Sequence, residues 1–372
     1  MRNKNSKIIL EVIPQLSSGG AERFIVDLCN ELVGKEIVIL VVLFPIDSSW
    51  FYIKELSPKI RLISLNKAHG FDIILVWKLI NLISRVKPDI VHTHLRAFNY
   101  VFWSKLFFWK ISFFHTVHSD AMIDSGGWLG VLFRKVIFKL KLFKTITISE
   151  ESQKSFEKLF NVDSFLVPNG RSRPLLVNED RVLEEICAYR VTENTKLLVN
   201  VASIQYLKNQ IMLSKCVKKL VEEGYDVVLL IIGRISDEKI KKEIIKIDCD
   251  RIHLLGERRF PTTYVHNADA FCLSSRFEGM PITLIECFAV GAIPVCTPVG
   301  GIVNVIRDGE NGILSLSIKY DDYYVALKRF LDLNIEQLEK IKFNSCLTYE
   351  NFTMEKCANL YWNIFNNSSD VK

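Results

Sequence analysis

Short apolar runs alternate with amphipathic stretches along the whole chain. KIILEVI (7–13) is almost continuously apolar and predicts a buried strand, followed by the turn-like PQLSSGG and a helical pattern over AERFIVDLCNELV (21–33). EIVILVVLF (36–44) predicts the next strand, VWKLINLISRV (76–86) a helix, and DIVHTHL (89–95), entered from Pro88, another strand. FKTITIS (143–149) is a strand running into the helical EESQKSFEKLF. The pattern then restarts: KLLVNVASI (196–204) reads as a strand, NQIMLSKCVKKLVEEG (209–224) as a helix stopped by glycine. YDVVLLIIG (225–233), IHLLG (252–256), AFCLSS (270–275) and AIPVCT (292–297) read as strands. Repeated strand–helix alternation predicts parallel, doubly wound sheets. The join falls near VPNGRSRPLLVNED (167–180), rich in proline, asparagine and charge, so the fold class is α/β with two Rossmann-like domains facing each other across a cleft.

Composition agrees. A chain of 372 residues is long for one core, and 49% hydrophobic with 24% charged residues supplies two cores and excludes a disordered chain. Nine cysteines show no CxxC pair, the N-terminus lacks a signal-peptide apolar core, and no apolar run has the length of a membrane span; these point to a reducing cytoplasm. No GxGxxG is present, which argues against a nicotinamide site, and neither a cofactor nor a nucleic-acid partner is expected.

Charge is lopsided. Residues 1–170 hold 22 Lys+Arg against 15 Asp+Glu, whereas residues 171–372 hold 26 against 27. Part of the excess lies in WLGVLFRKVIFKLKLFK (128–144), with five cations and no acid. On a helical wheel Leu129, Leu132, Phe133, Val136, Leu140 and Phe143 form a stripe expected to pack on the sheet. Val131, Phe138 and Leu142 form a second stripe beside Arg134, Lys135 and Lys141, expected to stay exposed. Apolar groups interleaved with cations, including those of FWSKLFFWKISFF (102–114), suit an anionic membrane surface. An ordinary helix whose second stripe meets a neighbouring loop accounts for the same pattern.

The chemistry concentrates around SSRFEGMPITLIE (274–286). Glu278 lies in a loop after a strand, and Glu286 in the second turn of a helix over about 281–290 that starts at Pro281 and stops at Gly291. Strand C-termini and helix N-termini are where doubly wound sheets take ligands, and carboxylates there suit sugar hydroxyls. Spacing alone equally allows a surface acid and a helix-capping acid.

The neighbouring residues go further. FEGMPITLIECFAVGAIPVCTPVGG resembles the E-x7-E segment of the family-4 retaining glycosyltransferases, which have the GT-B fold. SSGGAERFIVDL, DIVHTHL, FHTVHS, ITISEESQKSF, VPNGR, NVASIQYLKNQ and GGIVNVIRDGENGIL resemble other segments of that family in the same order. The resemblance implies an acceptor-side domain over 1–172 and a nucleotide-sugar domain over 173–350, with residues 351–372 returning to the first as a helix. It implies that Glu286 binds the ribose, that Glu278 meets donor-sugar hydroxyls, and that the backbone of Gly279 and Met280 lines the site. Lys208 then neutralises the leaving diphosphate, His118 faces the sugar, and Gly19, Gly20, Gly300 and Gly301 approach the donor. Ser203 stands near a position where relatives carry an arginine, a role that could pass to Gln205 or a residue from elsewhere. The expected reaction is retaining transfer, without metal, from a nucleoside-diphosphate sugar, UDP-linked by expectation, to a lipid-linked saccharide acceptor, on the inner face of a cell membrane. A nucleotide-sugar epimerase of the same fold and a non-catalytic GT-B subunit are the alternatives.

His92 and His94 share one face of their strand, and His115 and His118 end the next strand-like run. Four imidazoles could hold a metal, but no cysteine or carboxylate joins them at close sequence spacing, so no metal site is expected.

Overall fold

A computed structural model describes residues 6–176 and 180–367. The chain forms two compact units, residues 1–172 with 354–372, and residues 173–353.

The first unit is built on β1 (Ile8–Ile13), β2 (Ile37–Val42), β3 (Arg61–Ser64), β4 (Ile90–His94), β5 (Ser112–Val117), β6 (Lys144–Thr147) and β7 (Phe165–Leu166). They form one parallel sheet in the order β3-β2-β1-β4-β5-β6-β7, with Glu11 of β1 paired in register with His92 of β4. The central strands read as apolar runs because helices cover both faces of the sheet. The helix Ile73–Val86 is capped by Asp72, whose carboxylate accepts from the Leu75 N–H at 3.1 Å, and Glu150–Phe160 starts at a Ser149–Ser152 capping box. The helix Met354–Asn367 packs in this unit, and Tyr361 Oη lies 3.0 Å from Thr116 Oγ1 of β5. Its buried face is Met354, Cys357, Ala358, Tyr361 and Phe365, and Leu360 is exposed.

The helix Trp128–Lys139 reverses the faces expected of it. Phe138 is buried among the rings of Phe98, Phe156 and Phe160, with Ile137 beside it and Val131 and Leu142 half-buried. Leu129, Leu132, Val136 and Leu140 are exposed. The aromatic cluster decides the rotation, and the helix stops at Lys139, because Lys141 takes a left-handed conformation (φ 52°) that sends Phe143 into the core from a separate segment. Arg134, expected among the surface cations, is buried against Asp124.

The second unit carries β8 (Lys196–Val201), β9 (Val227–Ile232), β10 (Ile252–Gly256), β11 (Ala270–Leu273), β12 (Pro294–Cys296) and β13 (Ile313–Leu314). They form a parallel sheet in the order β10-β9-β8-β11-β12-β13. The strand order reverses between β8 and β11, so loops leaving the C-terminal ends of these neighbours open a crevice. The loop after β8 carries Ser203 to Lys208 and the loop after β11 carries Glu278.

Candidate functional site

In the second unit the loop after β8 ends in a single tight turn, Tyr206–Lys208, before the helix Gln210–Glu222. The loop after β11 is tied to it: the Arg276 N–H donates to the Leu207 carbonyl at 2.8 Å, and Ser274 Oγ donates to the carbonyls of Lys208 and Asn209, both at 3.1 Å. Lys208 and Glu278, seventy residues apart, thereby meet. Lys208 Nζ donates to both oxygens of Glu278 at 2.7 and 2.8 Å, and Ser275 Oγ donates to the first of them at 2.6 Å. An ammonium has three N–H groups, so after two reach Glu278 one remains for a further acceptor. The Lys208 side chain retains 22% exposure, enough for a ligand to reach it.

The glycine pair after β12 shapes this turn from behind. Gly300 has φ +52°, and a Cβ built on it would lie 1.6 Å from the Glu278 carbonyl oxygen, so only glycine fits. The Gly301 N–H donates to the Gly279 carbonyl at 2.7 Å. Gly300 and Gly301 therefore grip the Glu278–Gly279 backbone, and the Gly301 N–H is engaged within the protein. Gly279 is half-buried and Met280 is buried. Pro281 is the N-cap rather than the first helical residue: its ψ of 125° is extended, and the helix runs Ile282–Ala289 with no side chain capping it. Glu286 remains in the second turn, buried.

Gln205 Nε2 donates to Ser203 Oγ at 3.0 Å, so Ser203 carries no cation but is positioned by a neighbour. Arg276 is a second cation at this turn, one that none of the sequence motifs includes among the candidate site residues. Its guanidinium lies 4.7 Å over the Tyr206 ring and donates to Asn209 Oδ1 at 3.0 Å, on the same turn as Lys208. In the sequence Arg276 stands two residues before Glu278, outside the segment around Ser203. A groove of about 670 Å³ adjoins this turn, with Gln205, Tyr206, Lys215, Arg276 and Lys319 in its wall. None of Lys208, Glu278 and Glu286 lines it.

In the first unit, parallel register brings a carboxylate to the histidines, which sequence spacing did not foresee. Glu11 Oε2 lies 3.0 Å from His94 Nε2, and His94 Nδ1 lies 2.9 Å from His118 Nε2. His92 Nδ1 is 2.9 Å from the same Glu11 oxygen without the alignment of a hydrogen bond, and its Nε2 contacts Thr116 Oγ1 at 2.8 Å. Glu11, His92 and His94 are fully buried and their nitrogen and oxygen atoms converge, so this trio is the one set among the described residues with the grouping of a metal site. Within the trio Glu11 and His94 are hydrogen-bonded, and His94 carries the chain on to His118.

That chain is polarised. Burial holds His92 and His94 well below the usual imidazole range and His118 down to about 3, so all three are neutral near pH 7, while burial pushes the Glu11 carboxyl up against the pull of His94. An ionised Glu11 accepts from His94 Nε2–H. Neutral His94 then offers a lone pair on Nδ1, His118 donates its Nε2–H to it, and His118 Nδ1 is left as an acceptor. Protonated Glu11 reverses every bond in the chain and makes His118 Nδ1 a donor.

His115 belongs to a separate network. Its Nε2 contacts Asp124 Oδ2 at 3.0 Å, and Arg134 donates to the same oxygen at 2.5 Å. Burial raises the Asp124 carboxyl, but His115 and Arg134 outweigh it and hold it well below the usual range. Gly19 and Gly20 open the helix Gly20–Leu32; Gly19 is extended (φ −156°), and its missing side chain leaves room for the Glu22 carboxylate.

Comparison with known proteins gives the same picture for both halves. A family model described as Glycosyltransferase Family 4 matches residues 18–172, and one described as Glycosyl transferases group 1 matches residues 184–345. The chain is 24% identical, over 90% of its length and 91% of the relative's, to an α-1,4-N-acetyl-D-galactosaminyltransferase of Campylobacter jejuni whose name specifies a diphosphoundecaprenol-linked saccharide. It is 23% identical, over 76% of its length and 74% of the relative's, to the Escherichia coli UDP-Gal:α-D-GlcNAc-diphosphoundecaprenol α-1,3-galactosyltransferase. Among solved structures, an Anabaena protein in complex with UDP and glucose superposes with a TM-score of 0.80 at 13% identity, covering 97% of this chain and all of that one.

Proposed function

The chain belongs to the GT-B glycosyltransferases described by those two family models, and on that premise we propose that it transfers a sugar, with retention, from a UDP-sugar to a hydroxyl of a lipid-linked saccharide. The observation that carries this reading is the clamp of Lys208 Nζ on both oxygens of Glu278, beside the uncapped N-terminus of the helix that holds Glu286.

In this reading Glu286 accepts from the ribose hydroxyls and Glu278 from the donor sugar. The third Lys208 N–H meets the diphosphate. The cation is already oriented by Glu278, so it stabilises the charge that grows on the leaving group without reorganising first. Arg276, stacked on Tyr206, supplies the second positive charge that Ser203 cannot. The backbone at Gly279 and Met280 lines the sugar position, shaped by Gly300 and Gly301, while Ser203, Gly19 and Gly20 let the chain approach the donor closely. His118 Nδ1 takes a hydroxyl proton in a hydrogen bond when Glu11 is ionised. The acceptor oxygen bonds to the anomeric carbon on the face the diphosphate leaves, and the departing phosphate takes the acceptor proton, so no protein nucleophile is needed.

The relatives' undecaprenol-linked substrates support a lipid-linked acceptor, and the cation excess of the first half supports work at the inner face of the cell membrane. A panel of nucleoside-diphosphate sugars read by thermal stabilisation tests the donor, because a ligand that binds only the folded protein raises its Tm. UDP-sugars are expected to raise it most; stabilisation by a different nucleotide moves the assignment to that base, and none by any of them removes it.

A further inference from the structure

We infer that the first unit carries a membrane-docking face, formed by the helices Ile73–Val86, Phe98–Lys105 and Trp128–Lys139 with the turn after Lys105, and that its occupant is an anionic lipid bilayer. The purpose of such a face rests on the lipid-linked acceptor proposed above; its physical basis does not.

Four of the six tryptophans of the chain, Trp77, Trp103, Trp109 and Trp128, are exposed on these elements, Trp109 and Trp128 at 74% and 69%. The other two lie elsewhere: Trp50 is buried, and Trp362 donates to Glu36 from the C-terminal helix. The rings on these elements make contacts in two groups, the second running through the buried Phe102. Trp77 meets Phe107 at 6.3 Å between centroids, Trp103 meets Phe102 at 5.2 Å, and Phe102 meets Phe133 edge-on at 5.0 Å. Phe133 continues into Leu129, Leu132, Val136 and Leu140, each at least 60% exposed. Exposed apolar groups gathered on neighbouring elements mark an interaction surface.

Charge selects the partner. Residues 73–88, 90–119 and 125–149 contain no aspartate or glutamate, while Lys110, Lys135, Lys139 and Lys141 are exposed among the apolar groups. The acid nearest the third helix, Asp124, is buried under Arg134. A protein interface built for a second copy or another chain commonly mixes both signs at its rim. Exposed tryptophans for the headgroup level, leucines for the acyl boundary and lysines whose stems lie along apolar surface while their heads reach out are the composition of an interfacial element. No helix among the described residues is long and apolar enough to cross a bilayer, so this face lies on the surface.

Flotation of the full chain with vesicles of phosphatidylglycerol and phosphatidylcholine tests the face without sugar donor or acceptor. The wild type is expected to float with these vesicles at low salt and far less with pure phosphatidylcholine. Its tryptophan emission is expected to shift blue and to be quenched by brominated acyl chains. Leu129→Ser/Leu132→Ser/Val136→Ser, all at exposed positions, is expected to lose binding at every salt concentration. Lys135→Gln/Lys139→Gln/Lys141→Gln is expected to weaken binding on the order of 100-fold at low salt and little at high salt. UDP binding, measured on the same samples, is expected to be equal in all three proteins. A wild type that stays unbound, or a serine variant that floats as well as wild type, overturns the docking face while leaving the donor site untouched. A concentration-dependent dimer abolished by the serine substitutions, with no vesicle binding, assigns the face to a second copy instead.

Discussion

At the scale of single residues, the site depends on a backbone contact as much as on its charges. Gly300 sits where any side chain would strike the Glu278 carbonyl, and its φ of +52° is unfavourable for L-residues. Gly309 has a similar φ, +76°, but open space where a Cβ would go. Gly309→Ala is therefore expected to cost only the left-handed backbone penalty, about 1–2 kcal/mol. Gly300→Ala adds a clash with backbone that cannot move aside, and is expected to cost more than roughly 2 kcal/mol and to weaken nucleotide-sugar binding as well. Urea unfolding midpoints of the two variants check this; equal midpoints contradict the grip of Gly300 on the Glu278 turn. The Lys208–Glu278 pair was legible in the sequence as two motif residues, but their direct union was not, because the loops after β8 and β11 become neighbours only once the strands are ordered.

At the scale of elements, β4 and β5 carry buried imidazoles whose titration couples to folding. Burial lowers His92, His94 and His115 in the folded state relative to the unfolded chain. The folded values lie below the unfolded one, so the stability these groups contribute is present above about pH 6.5 and is lost as pH falls, when the unfolded chain takes up protons the folded chain cannot. Each costs at most roughly 1.4 kcal/mol per pH unit below that point. Glu11 has the opposite sign: its folded value is raised above 4.5, so its contribution is present below 4.5 and fades as pH rises through the folded value. Three imidazoles outweigh one carboxyl, and the urea midpoint is expected to be clearly lower at pH 5 than at pH 7; an unchanged midpoint contradicts the buried neutral histidines.

The long central strands and helices were legible because apolar runs and helical periodicity are local. The short edge strands β3, β7 and β13 were not, since two to four residues carry no period. Register was invisible too, which is why Glu11 was not placed beside His92. The helix at Trp128 has two apolar stripes, and sequence alone could not say which one meets Phe98, Phe156 and Phe160.

At the scale of the whole molecule, the last helix belongs to the first unit although it follows the second in sequence. Met354, Cys357, Tyr361 and Phe365 are buried there, and Phe365 packs on Phe114 with centroids 4.8 Å apart. Deleting residues 354–372 is expected to speed hydrogen exchange in β4 and β5 and to leave β8 and β9 nearly unchanged; equal effects on both sheets contradict this division.

The central claim is that the second unit holds a nucleoside diphosphate through Glu286, with Lys208 clamped by Glu278 beside it. Calorimetric titration of UDP into wild type and Glu286→Gln is its most direct test. Loss of a charged hydrogen bond of roughly 1.5–3 kcal/mol predicts binding weakened about 10- to 150-fold with the fold intact. Equal affinity of the two proteins for UDP would contradict the assignment.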